Sequence, residues 1–236
     1  MVDFQKQKWK YHFSHFEEQG GIDIEEQSKI GEFYRRDLFL SVNVLWLIIA
    51  VFVPLVLYYV MFKMALAVDK HTSHKKEIYL FLFSKKEMPS EVKESLESFP
   101  TNALTYYWLF LASGIFVFFS DLYYPINIAN LFIPTPTLIS LIVNFFFLVM
   151  LSDVISKRLY VHQEWEKEIE MHLLYERENI LFFKKRSGLG FMLLSFLTIG
   201  IYVYIYLFLV NKEYVNHIIY DYKNIQKAIR QRNDGI

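Results

Sequence analysis

LFLSVNVLWLIIAVFVPLVLYYVMF, residues 38–62, contains no charged side chain. A helix rises about 1.5 Å per residue, so this stretch is long enough to cross a hydrocarbon core of ~30 Å. Water is absent there, and a helix satisfies its own backbone hydrogen bonds, so helix is the expected structure. Residues 103–122, 131–151 and 191–210 are three further runs of the same kind. The fold class they define is an all-α integral membrane protein: four apolar transmembrane helices with amphipathic flanking helices.

Three divisions follow along the chain. Residues 1–37 form an amphipathic amino-terminal segment, 38–210 the four-helix membrane domain with polar loops 63–102 and 152–190, and 211–236 an amphipathic carboxyl-terminal helix. In the first, Trp9, Phe13 and Phe16 make an aromatic stripe on a basic helix that Gly20 and Gly21 end. Asp23 with Glu26 resembles a capping box for a second short helix. The charged stretch after Leu151 continues the third helix outward to about Ile180, with Ile155, Leu159, Trp165 and Ile169 on one face. In the last, Val215, Ile218, Ile219, Tyr222, Ile225 and Ile229 share a face, with Lys223, Lys227 and Arg230 off it. Such a helix is expected to lie on anionic headgroups or pack on a partner.

Composition narrows the function classes. The 236 residues have zero formal charge, so nucleic acid is not an expected partner; the lipid bilayer is, with a second copy or a partner membrane protein. No cysteine is present, which removes disulfides, thiolate metal sites and cysteine nucleophiles. The polar start lacks the short apolar core of a cleavable signal, so the first span is expected to serve as an uncleaved anchor in a multi-pass protein of the cell membrane. No phosphate-cradling glycine loop and no Gly-x-Ser-x-Gly elbow occurs.

Residues 38–62 and 191–210 echo one another at an offset of 146: Ser41 with Ser187, Leu47 with Leu193, Tyr58 with Tyr204, Phe62 with Phe208 and His71 with His217. The helix breakers Pro54 and Gly200 share the register. Chance in a Tyr- and Phe-rich composition explains such a match, and so does an internal duplication. Four full crossings put the two long loops on one side, with 14 Lys and Arg against 11 for the termini. Re-entrant first and fourth segments, turning at Pro54 and Gly200, would instead leave only the uncharged link 124–130 opposite. Both segments are long enough to span, and four crossings are the expectation.

His71, His74 and Glu77 recur every three residues, near one helix face, and His162 falls on the apolar stripe beside Trp165. Imidazoles with a carboxylate are a reasonable ligand set for a first-row metal or haem. The plainer reading makes them interfacial histidines, with His162 buried in a helix contact; no cofactor is therefore expected, and no catalytic residue is assigned. Glutamates 164–178 read as a solvated helix face. Deep ionisable residues are missing, which argues against a proton-coupled pump. Asn43, Thr137, Ser140 and Asn144 are the deep polar residues, read as helix–helix hydrogen bonds or as the lining of a path.

Thr198-Ile-Gly-Ile-Tyr202, followed by Tyr204, Tyr206 and Asn216-His217, resembles a segment of small prokaryotic multi-pass membrane proteins of unknown function. The likeness covers about 25 residues and lacks the Trp usual after the tyrosines. It implies a membrane location and no activity. The function expected is a scaffold or accessory membrane component, with an oligomeric channel or transporter, and a membrane enzyme or electron carrier using interfacial histidines, as alternatives.

Overall fold

A computed structural model describes residues 24–84, 88–97, 102–127, 132–173, 180–198 and 200–233, without the side chains of 24–27 and 230–233. The stripe of Trp9, Phe13 and Phe16, and Asp23 of the capping box, lie outside them. Most of the described residues are helical: α1 (Ile24–Leu40), α2 (Val44–Phe52), α3 (Pro54–Leu82), α4 (Ser90–Glu97), α5 (Ala103–Tyr123), α6 (Thr135–Met171), α7 (Gly188–Leu197) and α8 (Ile201–Asn233). Two of them, α5 and α6, are long and apolar enough to cross a membrane.

Segments one and four do not run straight: each is broken near its middle. The side chain of Asn43 caps α2 by accepting from the Leu45 N–H. After the nine residues of α2, Val53 is extended, because the Pro54 ring bars the preceding residue from helical geometry. Pro54 then opens α3, where its missing N–H costs nothing. The Lys63 ammonium donates to the carbonyls of Phe39 (3.0 Å) and Ser41 (3.2 Å). Along one straight helix residues 41 and 63 would be about 33 Å apart, so the chain turns back at Val53–Pro54. Trp46 and Tyr59 meet across this hairpin, ring centroids 5.3 Å apart.

The second hairpin uses a glycine. Ser187 caps α7, and Gly200 adopts φ +84°, a conformation that side chains disfavour. Arg186 pairs with Glu213, and Phe191 meets Tyr206 at 4.3 Å, contacts that require a return at Gly200. The two breakers of the 146-residue echo therefore make two helical hairpins. Their bases are tied: Asn211 accepts from the Val42 N–H (2.9 Å) and donates to the Val42 carbonyl (2.8 Å).

The two hairpin stems continue far beyond these bases, so much of the expected polar loop 63–102 is helix. Asp69 on α3 accepts from the N–H groups of Asn102, Ala103 and Leu104, capping α5 with a carboxylate where the helix dipole favours one. From there α5 and α6 pack as an antiparallel pair. Asn144 donates to Ser113 (2.9 Å) and accepts from the Tyr58 hydroxyl, Ser140 meets Ser120 (2.7 Å), and Thr137 donates to the Tyr124 carbonyl (2.8 Å). The polar stripe thus bonds helix to helix, while Asn43 is used as a cap.

Exposed large apolar residues concentrate in 39–59, 108–146 and 189–209. Beyond that zone α1 and the distal parts of α3, α6 and α8 form a four-helix bundle with an inward face that includes Tyr34, Val68, Ile78, Leu159, Ile169, Ile218 and Ile225. The carboxyl-terminal stripe belongs to this core: Ile218, Ile225 and Ile229 are buried, and Tyr222 packs on Tyr34. A lipid-facing role for that stripe is therefore corrected to a protein-facing one.

Candidate metal centre

The bundle carries charge at its centre. Each helix places polar residues on its inward stripe at helical spacing: Tyr34 and Asp37 on α1; His71, Lys75 and Tyr79 on α3; His162, Glu166 and Glu170 on α6; His217 and Asp221 on α8. All of these side chains are buried.

Nearest the apolar zone is a ring of imidazoles. Nε2 of His71 lies 3.3 Å from Nε2 of His217. Glu166 holds Oε1 at 3.1 Å from His162 Nε2 and Oε2 at 3.0 Å from His217 Nε2, while His71 Nε2 is 3.9 Å from Oε1. One donor atom from each of His71, His162, Glu166 and His217 lies within 4.8 Å of all the others. A tetrahedral centre with bonds of ~2.0–2.1 Å separates its donor atoms by about 3.3–3.4 Å, a spacing that the closer pairs match and that the wider ones reach by closing in around an ion.

Further out, Asp37 orients His71. Its carboxylate accepts from His71 Nδ1 (2.8 Å) and His74 Nδ1 (2.7 Å). The first contact turns the Nε2 lone pair of His71 towards His217 and Glu166, the arrangement that outer carboxylates impose on metal-bound histidines. Burial alone would raise the Asp37 carboxyl, but hydrogen bonds and charge from His71 and His74 hold it below the usual range.

Towards the far end, Lys75 Nζ meets Asp221 (2.6 Å), Glu166 (3.1 Å) and Glu170 (3.3 Å). Burial would strip its proton, yet Asp221, Glu166 and Glu170 push its affinity for the proton up, and it stays an ammonium. Burial likewise opposes the Glu166 carboxylate, and Lys75, His217 and His162 hold it well below the usual range. Tyr34 donates to Asp221 and Tyr79 to Glu170 (2.9 Å). Burial, with those carboxylates adding to it, raises both phenols far above their ordinary value, so they remain donors.

Four buried carboxyl groups, Asp37, Glu166, Glu170 and Asp221, share the core with one buried ammonium, Lys75, and with the histidines. Burial lowers His162, which favours its neutral form, the form in which imidazole binds a metal. Buried charge persists only when compensated, by protonated histidine or by a cation.

Of the residues singled out in the sequence, His71 and His162 converge, with ring centroids 4.9 Å apart. His74 turns aside to Asp37 and stacks on Phe33, and Glu77 is exposed, so neither joins the ligand ring. Glu166 and Glu170 leave the solvated face assigned to them and are buried, although Glu168 is exposed. The ligands that sequence reasoning missed carry weak signals: Glu166 follows His162 by one turn, and His217 is the echo of His71. No family model, no curated protein and no solved structure matches the chain.

Proposed function

We propose that this chain is a multi-pass membrane scaffold whose bundle, at one face of the bilayer, is clamped by a first-row divalent metal ion. The convergence of His71, His162, Glu166 and His217 from three helices carries the reading. Three nitrogens and a carboxylate suit zinc or iron(II), and a dication offsets most of the buried negative charge. Lys75 keeps Asp221 and Glu170 as partners when Glu166 turns to the metal.

A structural clamp fits better than a catalytic centre. The ligands are buried, and the cavity nearby, lined by Met64, Val68, Ile155, Leu159 and Tyr214, barely admits one water molecule. Haem does not fit: its axial nitrogens stand about 4 Å apart across a macrocycle at such bond lengths, and 3.3 Å separates His71 from His217 with no slot between. Hydrogen bonds of Thr137, Ser140 and Asn144 between helices support packing over a channel lining.

In the membrane, α5 and α6 cross and the hairpins α2–α3 and α7–α8 re-enter from the bundle side. Exposed Trp108, Tyr123 and Tyr124 sit at the ends of the α5 crossing, where interfacial aromatics belong. Lys and Arg then lie off the 124–130 link, which has none, and the positive-inside rule makes the bundle side cytoplasmic.

Metal analysis of detergent-purified protein tests the clamp. About one equivalent of a first-row metal per chain is expected, or one equivalent of Zn²⁺ taken up after chelation, and Glu166→Gln with His217→Ala should abolish it. Folded wild-type protein that neither retains metal nor binds Zn²⁺ would establish a metal-free ion-paired core with protonated histidines.

A further inference from the structure

We infer that the two hairpins form a wedge that fills the bundle-side leaflet and stops short of the far face, so that the protein's preferred partner is a strongly curved bilayer with the bundle on the convex face. The inference rests on the membrane reading above and is independent of the metal.

Depth follows from side-chain register. Tyr58 stacks on Phe110 at 4.5 Å, and a Cβ on Gly114 would sit 2.2 Å from its hydroxyl, so Tyr58 is level with residues 110–114. Pro54 is one turn further in, about 6 Å, which leaves the first tip roughly 9 Å short of the far end of α5. The Tyr206 hydroxyl reaches the Ser152 carbonyl at 3.4 Å. Gly200 is about 9 Å deeper, level with residue 146 or so, which leaves the second tip roughly 16 Å short of the start of α6.

Both tips suit hydrocarbon. Phe52 and Leu55 at the first are each 79% exposed, and Phe196 and Leu197 at the second 76% and 75%. No charged residue lies between Val42 and Phe62 or between Phe191 and Val210. Backbone at such depth must satisfy itself, and these turns do so in part. Val53 N–H donates to Ile49, Val56 N–H to Val53, and Gly200 N–H to Ser195. Thr198 Oγ1 donates to the Leu194 carbonyl and accepts from the Tyr202 N–H.

The consequence is asymmetry in area. The near leaflet holds sections of α2, α3, α5, α6, α7 and α8, whereas the outer part of the far leaflet holds α5 and α6 alone. Helices 10–12 Å across make the difference roughly 300–450 Å². A flat bilayer accommodates that only under strain, and bending towards the bundle relieves it.

The test uses the full chain, which is free of cysteine, with a single fluorescent label on the thiol of a Lys223→Cys variant. Small sonicated and large extruded vesicles of one lipid composition compete for the detergent-solubilised protein. Severalfold higher density per lipid area on the small vesicles is expected, with and without chelator. Equal density on both would overturn the wedge. Alkaline carbonate separates the cases: protein stripped from all vesicles refutes the membrane reading itself, whereas retained protein with no size preference refutes only the inference. Single cysteines replacing Val53 and Gly200 should resist membrane-impermeant thiol reagents from either side. Labelling of both from the face opposite the bundle would also overturn the inference, by making the hairpins cross.

Discussion

Replacing Lys75 by methionine removes the ammonium at the centre of the bundle while nearly keeping its volume. Its nitrogen is within 3.3 Å of Asp221, Glu166 and Glu170, and the side chain is fully buried. Breaking a buried pair by deleting one partner costs about 3–5 kcal/mol, because the surviving charge is left without compensation. For a chain of this size that corresponds to a fall in melting temperature of roughly 6–20 °C. Lys75→Met together with Asp221→Asn should lose less than the sum of the single changes, since the shorter contact is then absent from both sides. Zn²⁺ should restore part of the loss in Lys75→Met, by taking over Glu166, but not the part due to Asp221. Thermal unfolding of detergent-purified protein, followed by circular dichroism with and without Zn²⁺, measures all of this. A change of a degree or two for Lys75→Met would refute the reasoning, because no fully buried ammonium among carboxylates can be deleted so cheaply.

Asp37→Asn should weaken Zn²⁺ binding 10–100-fold in competition with a chromophoric chelator, the usual cost of losing an outer-shell carboxylate. Asn144→Leu should lower stability by only about 0.6–2 kcal/mol, because it deletes hydrogen bonds between helices; a larger loss in thermal unfolding would contradict that. Gly114→Ala forces Tyr58 off its site, and overpacking of this kind costs about 1–3 kcal/mol; an unchanged melting temperature would show that the ring is not seated there. Single cysteines replacing Lys157 and Lys223, both exposed on the bundle, should react from the same side and one replacing Ile126 from the other. Four straight crossings would put positions 157 and 223 on opposite sides.

How much of this was legible depended on range. The four apolar runs and the helix that continues beyond Leu151 are local features, set by composition and periodicity, whereas the sequence placed Asn43 in the polar stripe and the structure uses it as a cap. The breakers Pro54 and Gly200 were also visible, yet run length favoured crossing. What folds these segments back lies outside those runs: both stems extend into long helices whose inward stripes must pack with α1 and α6, and this holds the bases of both hairpins together at Val42 and Asn211. The site was half legible for the same reason. His162 stood out as a polar residue on an apolar stripe, whereas Glu166 and Lys75 resemble any charged helix face until a second helix meets them. Periodicity tells which residues share a face, not what that face meets.

The offset of 146 accounts for the site's composition. Helices α3 and α8 both run away from their hairpin tips, in parallel and diagonally across the bundle, so residue i of one faces residue i+146 of the other. At one level the echo retains the same residue, and His71 meets His217 nitrogen to nitrogen at 3.3 Å. Two neutral imidazoles in that position repel through their lone pairs unless a proton or a metal lies between them. One turn further along, the echo is broken: Lys75 faces Asp221 at 2.6 Å. An identical pair of charged residues there would have opposed like charges in a dry core, and the exchange of sign turns that clash into an ion pair. The same register thus creates, in neighbouring layers, a bridging position for a cation and a lysine bound to carboxylates. Glu166 on α6 lies between the layers and belongs to both, 3.0 Å from His217 and 3.1 Å from Lys75. A metal bound at the histidine layer would therefore be coupled to the charge balance of the lysine layer through that one carboxylate, which is why Lys75→Met is expected to respond to Zn²⁺.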